Sequence, residues 1–168
     1  PDVAWYGPDG AAVDWKTPLI KSNGKIVELP EAKVQPRAGS KVVFDISIQE
    51  KPEEIAKGLV RVARWLNLNG AADVPASRIQ VALVLHGDAT KAALGHAAYA
   101  KHAQVERNPN LNLLQELQSN GVEIYVCGQA LTHHGYSATE VAKHVEIATA
   151  ALTVLIQKQP DGYAFLPY

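Results

Sequence analysis

The apolar positions of this chain change rhythm repeatedly, and each change marks an element. Val42 to Ile48 is a short run rich in β-branched residues, as in a buried strand. Pro52-Glu53-Glu54 then suits a first helical turn, with a proline and two acids where φ and the helix dipole favour them. Ile55, Leu59, Val62, Ala63 and Leu66 recur at helical spacing until Asn69-Gly70. Arg78 to His86 is a second, continuously apolar strand, the pattern of a parallel sheet covered on both faces. Ala89 to His102 reads as a helix that Gly95 interrupts. Asn108-Pro109 opens another, whose Leu111, Leu114 and Leu117 share one face before Asn120-Gly121 stops it. Val122 to Val126 predicts a third strand, ending at Cys127-Gly128. Ser137-Ala138-Thr139-Glu140 has the form of a capping box and predicts a short helix. Val145 to Ala148 predicts a fourth strand and residues 149–158 a helix. After Pro160-Asp161-Gly162 turns the chain, Tyr163 to Leu166 predicts a last strand.

Strands alternating with helices predict one three-layer α/β domain with a mainly parallel sheet over residues 41–168. The strand order is not readable from these periods. Residues 1–40 have another texture, rich in proline, glycine and charge, with Trp5 and Trp15. They predict an N-terminal arm that packs on the body or on a neighbouring subunit, with Lys25 to Leu29 as a short β-like piece.

Charge narrows the partners. Sixteen basic and seventeen acidic residues leave a formal net charge of −1, and no long block of like charges occurs. Neither nucleic acid nor an anionic membrane surface is an expected partner. No apolar run is long enough to span a bilayer. One cysteine excludes an internal disulfide and a Cys-X-X-Cys pair. The chain has no methionine. A cleaved export signal, a trimmed chain and removal of an initiator all account for that, and a periplasmic location is expected ahead of a cytoplasmic one.

The common phosphate loops, the Gly-X-Ser-X-Gly elbow and His-Glu-X-X-His are all missing, so no cofactor is expected. The remaining chemistry clusters at predicted strand ends, where open α/β sheets bind ligands. One loop holds His86-Gly87-Asp88. The other holds Cys127-Gly128-Gln129, followed by His133 and His134. Cys127 ranks first, because a helix beginning at Gly128 and a nearby imidazole would stabilise its thiolate. A cysteine ending a strand is as commonly a buried, inert packing residue. His86 would polarise the sulfur or orient a ligand, or else it simply bonds a loop carbonyl. His133 and His134 cannot share one face of a regular element, so one is expected towards the site. With Cys127 and His86 they could form a soft metal site, but their spacing matches no strong zinc pattern, and no metal is assigned. Gly87, Asp88, Gly128, Gln129, His133 and His134 are the candidate ligand-binding positions. Ordinary turn chemistry explains Asp88 and Gln129 equally well, and solvation is the default reading of Gln49, Glu50 and Lys51, which follow the first strand.

Leu83-Val84-Leu85-His86-Gly87 is followed by a helix from Leu114 that runs into Gly121-Val122-Glu123-Ile124-Tyr125-Val126-Cys127-Gly128. Leu152 to Gln157 then leads into Asp161-Gly162-Tyr163-Ala164-Phe165-Leu166-Pro167. In this order and spacing, the fragments resemble the DsrE/DsrF-like (YchN-like) family over residues 41–168. The resemblance implies a flavodoxin-like α/β/α sandwich that assembles into trimers or hexamers. It also implies a cysteine that carries sulfur as a persulfide, in sulfur oxidation or in tRNA sulfur relay. Cys127 inherits that position here, with a sulfur donor or acceptor protein as partner.

Two functions follow as expectations. One is sulfane-sulfur handling by Cys127, with His86 and one of His133 or His134 as electrostatic support. If the protein is an enzyme, its catalysis is sulfur transfer through Cys127. The other is a non-catalytic oligomer that binds a small ligand or a metal in pockets between subunits. Trp5, Tyr6, Trp15, Tyr163, Phe165 and Tyr168 are the candidate subunit contacts.

Overall fold

All strands of the sheet run the same way, and handedness then decides where the helices lie. In the computed structural model, which describes residues 10–168, the strands are β1 (Lys41–Ile46), β2 (Gln80–Leu85), β3 (Glu123–Cys127), β4 (Glu146–Ala148) and β5 (Ala164–Pro167). They form one sheet in the order β4-β3-β2-β1-β5, every neighbouring pair parallel. From β1 to β4 the chain steps in one direction across the sheet. Right-handed crossovers therefore put the connecting helices on one face. These are α1 (Lys57–Ala71), α2 (His96–Ala103), α3 (Leu111–Ser119) and α4 (Gly128–His134). The last helix, α5 (Ala151–Lys158), returns over the opposite face and delivers β5 beside β1. The architecture is the expected three-layer α/β sandwich.

The two faces are unequal. Val42, Phe44, Ile46, Leu83, Leu85, Ile124 and Val126 point into the larger core with Leu59, Val62, Ala63 and Leu66 of α1 and Leu113, Leu114 and Leu117 of α3. The alternate positions Val43, Ala82, Val84 and Cys127 point the other way, against Ala151 and Val154 of α5. Strands buried on both faces read as continuous apolar runs, which is why the first three were visible in the sequence.

Several boundaries moved. The first helix starts at Lys57 rather than at Pro52, because groups distant in sequence hold the residues before it. Asn110 Oδ1 accepts the Ala56 N–H at 2.8 Å, Gln49 donates to the Glu54 carbonyl, and the Tyr99 hydroxyl donates to the Pro52 carbonyl. The helix expected over residues 89–102 breaks into a 3-10 turn, Gly87–Ala93, and α2. The Gly95 N–H donates to the Glu140 carbonyl and the Ala142 N–H to the Ala93 carbonyl, so chain pairing replaces helix continuation there. The capping box at Ser137 and Glu140 is present, but it closes a single 3-10 turn, Ala138–Glu140.

Among the described residues of the arm, the β-like piece is reduced to one antiparallel bridge between Lys16 and Ile26. The arm docks through Asn67 of α1, which is fully buried. Its Oδ1 accepts the N–H groups of Leu19 and Ile20, and its Nδ2 donates to the carbonyls of Ile20, Asn23 and Gly24. Gly24 is required there. Its φ is +73°, and a Cβ would lie 2.4 Å from the Arg64 backbone nitrogen. Trp5 and Tyr6 lie outside the described residues. No helix among those described is long and apolar enough to cross a membrane.

Candidate functional site

Alternation along three adjacent strands brings three polar side chains to the thinner face at the carboxyl edge of the sheet. Asp45 sits between Phe44 and Ile46 of β1, both in the larger core, so it points to the α5 side. His86 continues β2 with extended backbone, φ −151° and ψ −171°, and its N–H donates to the Ile46 carbonyl. Leu85 is paired with Val126. The next residues along, His86 and Cys127, are therefore register neighbours on the same face.

Cys127 is the last residue of β3 and the N-cap of α4. Its Sγ accepts the Ala130 N–H at 3.4 Å, in the manner of a capping oxygen that takes an orphan donor of a first turn. The residue is 6% exposed and packs with Val43, Ala82, Val84, Ala151 and Val154. It thus combines the two readings its sequence position allowed: a mainly apolar shell and one amide donor. Gly128 must follow it, since a Cβ there would lie 2.9 Å from the Ala148 carbonyl oxygen of the neighbouring strand.

The hydrogen bond of His86 runs from Nε2 to the Asp45 carboxylate rather than to the sulfur. With side chains 29% and 19% exposed, the pair sits at the edge of solvent. A carboxylate that holds one ring nitrogen fixes the orientation of the imidazole. Asp45 was not among the candidate residues. An acid inside the run Val-Val-Phe-Asp-Ile was the available signal, because a charge in a covered strand needs a partner.

The remaining candidates separate. His133 and His134 are both exposed. His134 Nε2 is 3.0 Å from the Gly87 carbonyl oxygen, linking the two predicted loops, and its ring stacks on Tyr136 at 5.3 Å. Tyr136 also meets His102 at 4.7 Å, and His102 reaches both carboxylate oxygens of Glu140 at 3.2 Å. Burial, then the charges of Asp88 and Glu140, raise the Tyr136 phenol above its ordinary value. The Glu140 carboxyl is lowered by the Ser137 N–H and then by His102. Asp88 and Gln129 are exposed, and Gln129 donates to the Thr149 carbonyl at 3.3 Å. Among the described residues no group of three or more His, Cys, Asp or Glu side chains is arranged to hold a metal ion.

A five-stranded parallel sheet in this order, covered by helices on both faces, defines the class as a small three-layer α/β domain. The family model described as DsrE/DsrF-like matches residues 41–168, and the chain belongs to the DsrE/DsrF-like family. The fold recurs in a protein of unknown function, MTH1491, from Methanobacterium thermoautotrophicum. That structure has a TM-score of 0.58 and 16% identity, covering 77% of this chain and 99% of the other. It recurs in the ychN protein of E. coli, with a TM-score of 0.55, 20% identity and the same coverage of 77% and 99%. At these identities the likeness is one of fold. No curated protein matches the chain significantly.

Proposed function

We propose that this DsrE/DsrF-like protein handles sulfane sulfur through a persulfide on Cys127. The observation that supports this reading is the position of the sulfur. It ends a strand at the carboxyl edge, accepts the first-turn N–H of Ala130, and lies in register beside the His86–Asp45 pair. A lone cysteine also suits a carrier, because no second thiol in the chain can discharge the bound sulfur as hydrogen sulfide. In the transfer step the Cys127 thiolate attacks the outer sulfur of a donor persulfide, R–S–SH. The new S–S bond forms as the donor's S–S bond breaks, and R–S⁻ departs. The Ala130 N–H donates to the attacking sulfur, and the imidazole of His86 lies beside it in the sheet register. With the residue 6% exposed, a slim donor fits better than a bulky one.

Intact-protein mass spectrometry after exposure to inorganic polysulfide tests the reading. Wild type gains about one sulfur mass per chain, and Cys127→Ser gains none. Equal gain by both proteins, or gain by neither, ends it.

Self-association belongs to the same proposal. Leu152 and Ile156 on the outer side of α5 and Phe165 and Leu166 on the edge strand β5 are 40–69% exposed. An open strand edge beside an apolar helix face is a surface that a second copy of the chain would cover. A monomer by light scattering at micromolar concentration removes this part.

A further inference from the structure

The sequence of α1 contains three cations and no acid. Lys57 is paired with Glu50 at 2.9 Å. Arg61 and Arg64 are exposed, and among the described residues neither has an ion-pair partner. Several other surface cations are neutralised, Lys16 by Glu28, Lys51 by Glu54 and Lys101 by Glu140. Arg61 is also held in place, with its Cζ 4.3 Å from the centroid of the Tyr168 ring. A stacked guanidinium keeps its N–H edge free for a carboxylate.

Arg61, Arg64 and Leu68 recur at i, i+3 and i+7, so they share one side of the helix over about 10 Å. Leu68 is 37% exposed and lines a groove of about 670 Å³ formed by the end of α1 and residues 27–40. Trp65, Leu29 and Val34 are among its other walls, and Leu29 and Val34 are 66% and 87% exposed. Large apolar side chains left open around one groove mark a binding surface. The charges there balance. Glu28 is paired with Lys16, and Asp73 and Arg37 supply one of each sign. Uncompensated positive charge is thus confined to the arginine end, and apolar surface to the other. A phosphate backbone or an anionic lipid surface would need cations across the whole footprint. A single small anion would use only one end.

We propose that this side of α1 and its groove bind a partner protein through a segment with paired acidic side chains and, about 6–10 Å further along, apolar ones. The acids meet Arg61 and Arg64, and the apolar side chains enter the groove beside Leu68 and Val34. α1 covers the face of the sheet opposite the one to which Cys127 points. The surface is therefore independent of the persulfide reading and stands if that reading fails.

The probe is a short fluorescein-labelled peptide with paired glutamates, paired leucines two residues further on, and otherwise glycine and serine. Fluorescence polarisation with the intact protein is expected to show saturable binding, with a Kd on the order of 100 μM at low salt that weakens as salt is added. Arg61→Glu with Arg64→Glu should weaken binding tenfold or more, and Val34→Ser with Leu68→Ser roughly fivefold. Arg107→Glu with Lys143→Glu makes the same change in net charge at exposed positions elsewhere and should stay within about twofold of wild type. All six side chains are exposed, so these changes leave the core intact. No saturable binding by about 1 mM peptide would overturn the proposal. So would equal affinity for peptides with glutamine in place of glutamate or serine in place of leucine, or an equal loss in the Arg107 and Lys143 variant. Tighter binding of a single-stranded oligonucleotide or of phosphatidylserine vesicles than of the peptide would overturn it as well.

Discussion

Asn67 offers the sharpest test of how the arm is held to the domain. Its carboxamide can make four hydrogen bonds, two through each end. Five backbone groups of residues 19–24 lie within 2.7–3.1 Å of it, so its capacity is fully used and one proton is shared. Replacing it with alanine removes all of them. Leu19 and Asn23 are partly exposed and can turn to water, but the Ile20 N–H, the Ile20 carbonyl and the Gly24 carbonyl are buried. Three buried groups at about 1 kcal/mol or more each put the loss near 3–5 kcal/mol if the arm stays docked. The arm has another course. It can detach, giving up the burial of Ile20 and Ile26, at about 2 kcal/mol per side chain, and regaining chain entropy. The smaller cost prevails, so Asn67→Ala should lower unfolding stability by about 2–4 kcal/mol. Urea denaturation at matched protein concentration measures this, and limited proteolysis should show faster cleavage around Ser22–Gly24. Asn67→Asp keeps the shape but sets an acceptor against three carbonyls, and should be no better than alanine. A loss below about 1 kcal/mol with unchanged proteolysis would refute the idea that this amide holds the arm.

Two other outcomes follow from the site. Asp45→Asn removes the charge that orients His86, and the rate of Cys127 alkylation by iodoacetamide at neutral pH should fall roughly threefold or more while the fold is kept. A rate equal to wild type would detach the pair from the sulfur. Burial pushes the Tyr99 phenol up to about 12. Because its folded value lies above the unfolded value of 10.0, the stability it contributes is complete below about pH 10. That contribution is lost as pH climbs towards 12. Tyr99→Phe should be less stable near neutrality, since Pro52 and Gln49 lose a partner, yet show a shallower alkaline decline. An identical decline in both proteins would show that another group governs that limb.

The parts of the structure legible in the sequence are those fixed by neighbouring residues. β1, β2 and β3 announced themselves as apolar runs because both sheet faces are covered, and the break at Gly95 was visible as a glycine inside a helical stretch. The missing parts depend on contacts across the chain. The start of α1 is set by Asn110, fifty-four positions beyond the Ala56 N–H it accepts. Strand order depends on β5 returning beside β1, which no local pattern encodes. The site divides on the same line. Cys127 at a strand-to-helix junction was readable, including the helix that begins at Gly128, because capping is local. The partner of His86 was not, because Asp45 becomes a neighbour only when β1 and β2 lie side by side. Gln49 was set aside as a solvated loop residue, but Tyr99, fifty positions away, buries it and leaves its oxygen unpaired. For the carboxyl edge of such a sheet, a polar residue inside or just beyond an apolar strand run is therefore a better guide to which polar side chains the fold encloses than the histidine pair His133-His134. That pair stands out in the sequence but lies on the surface.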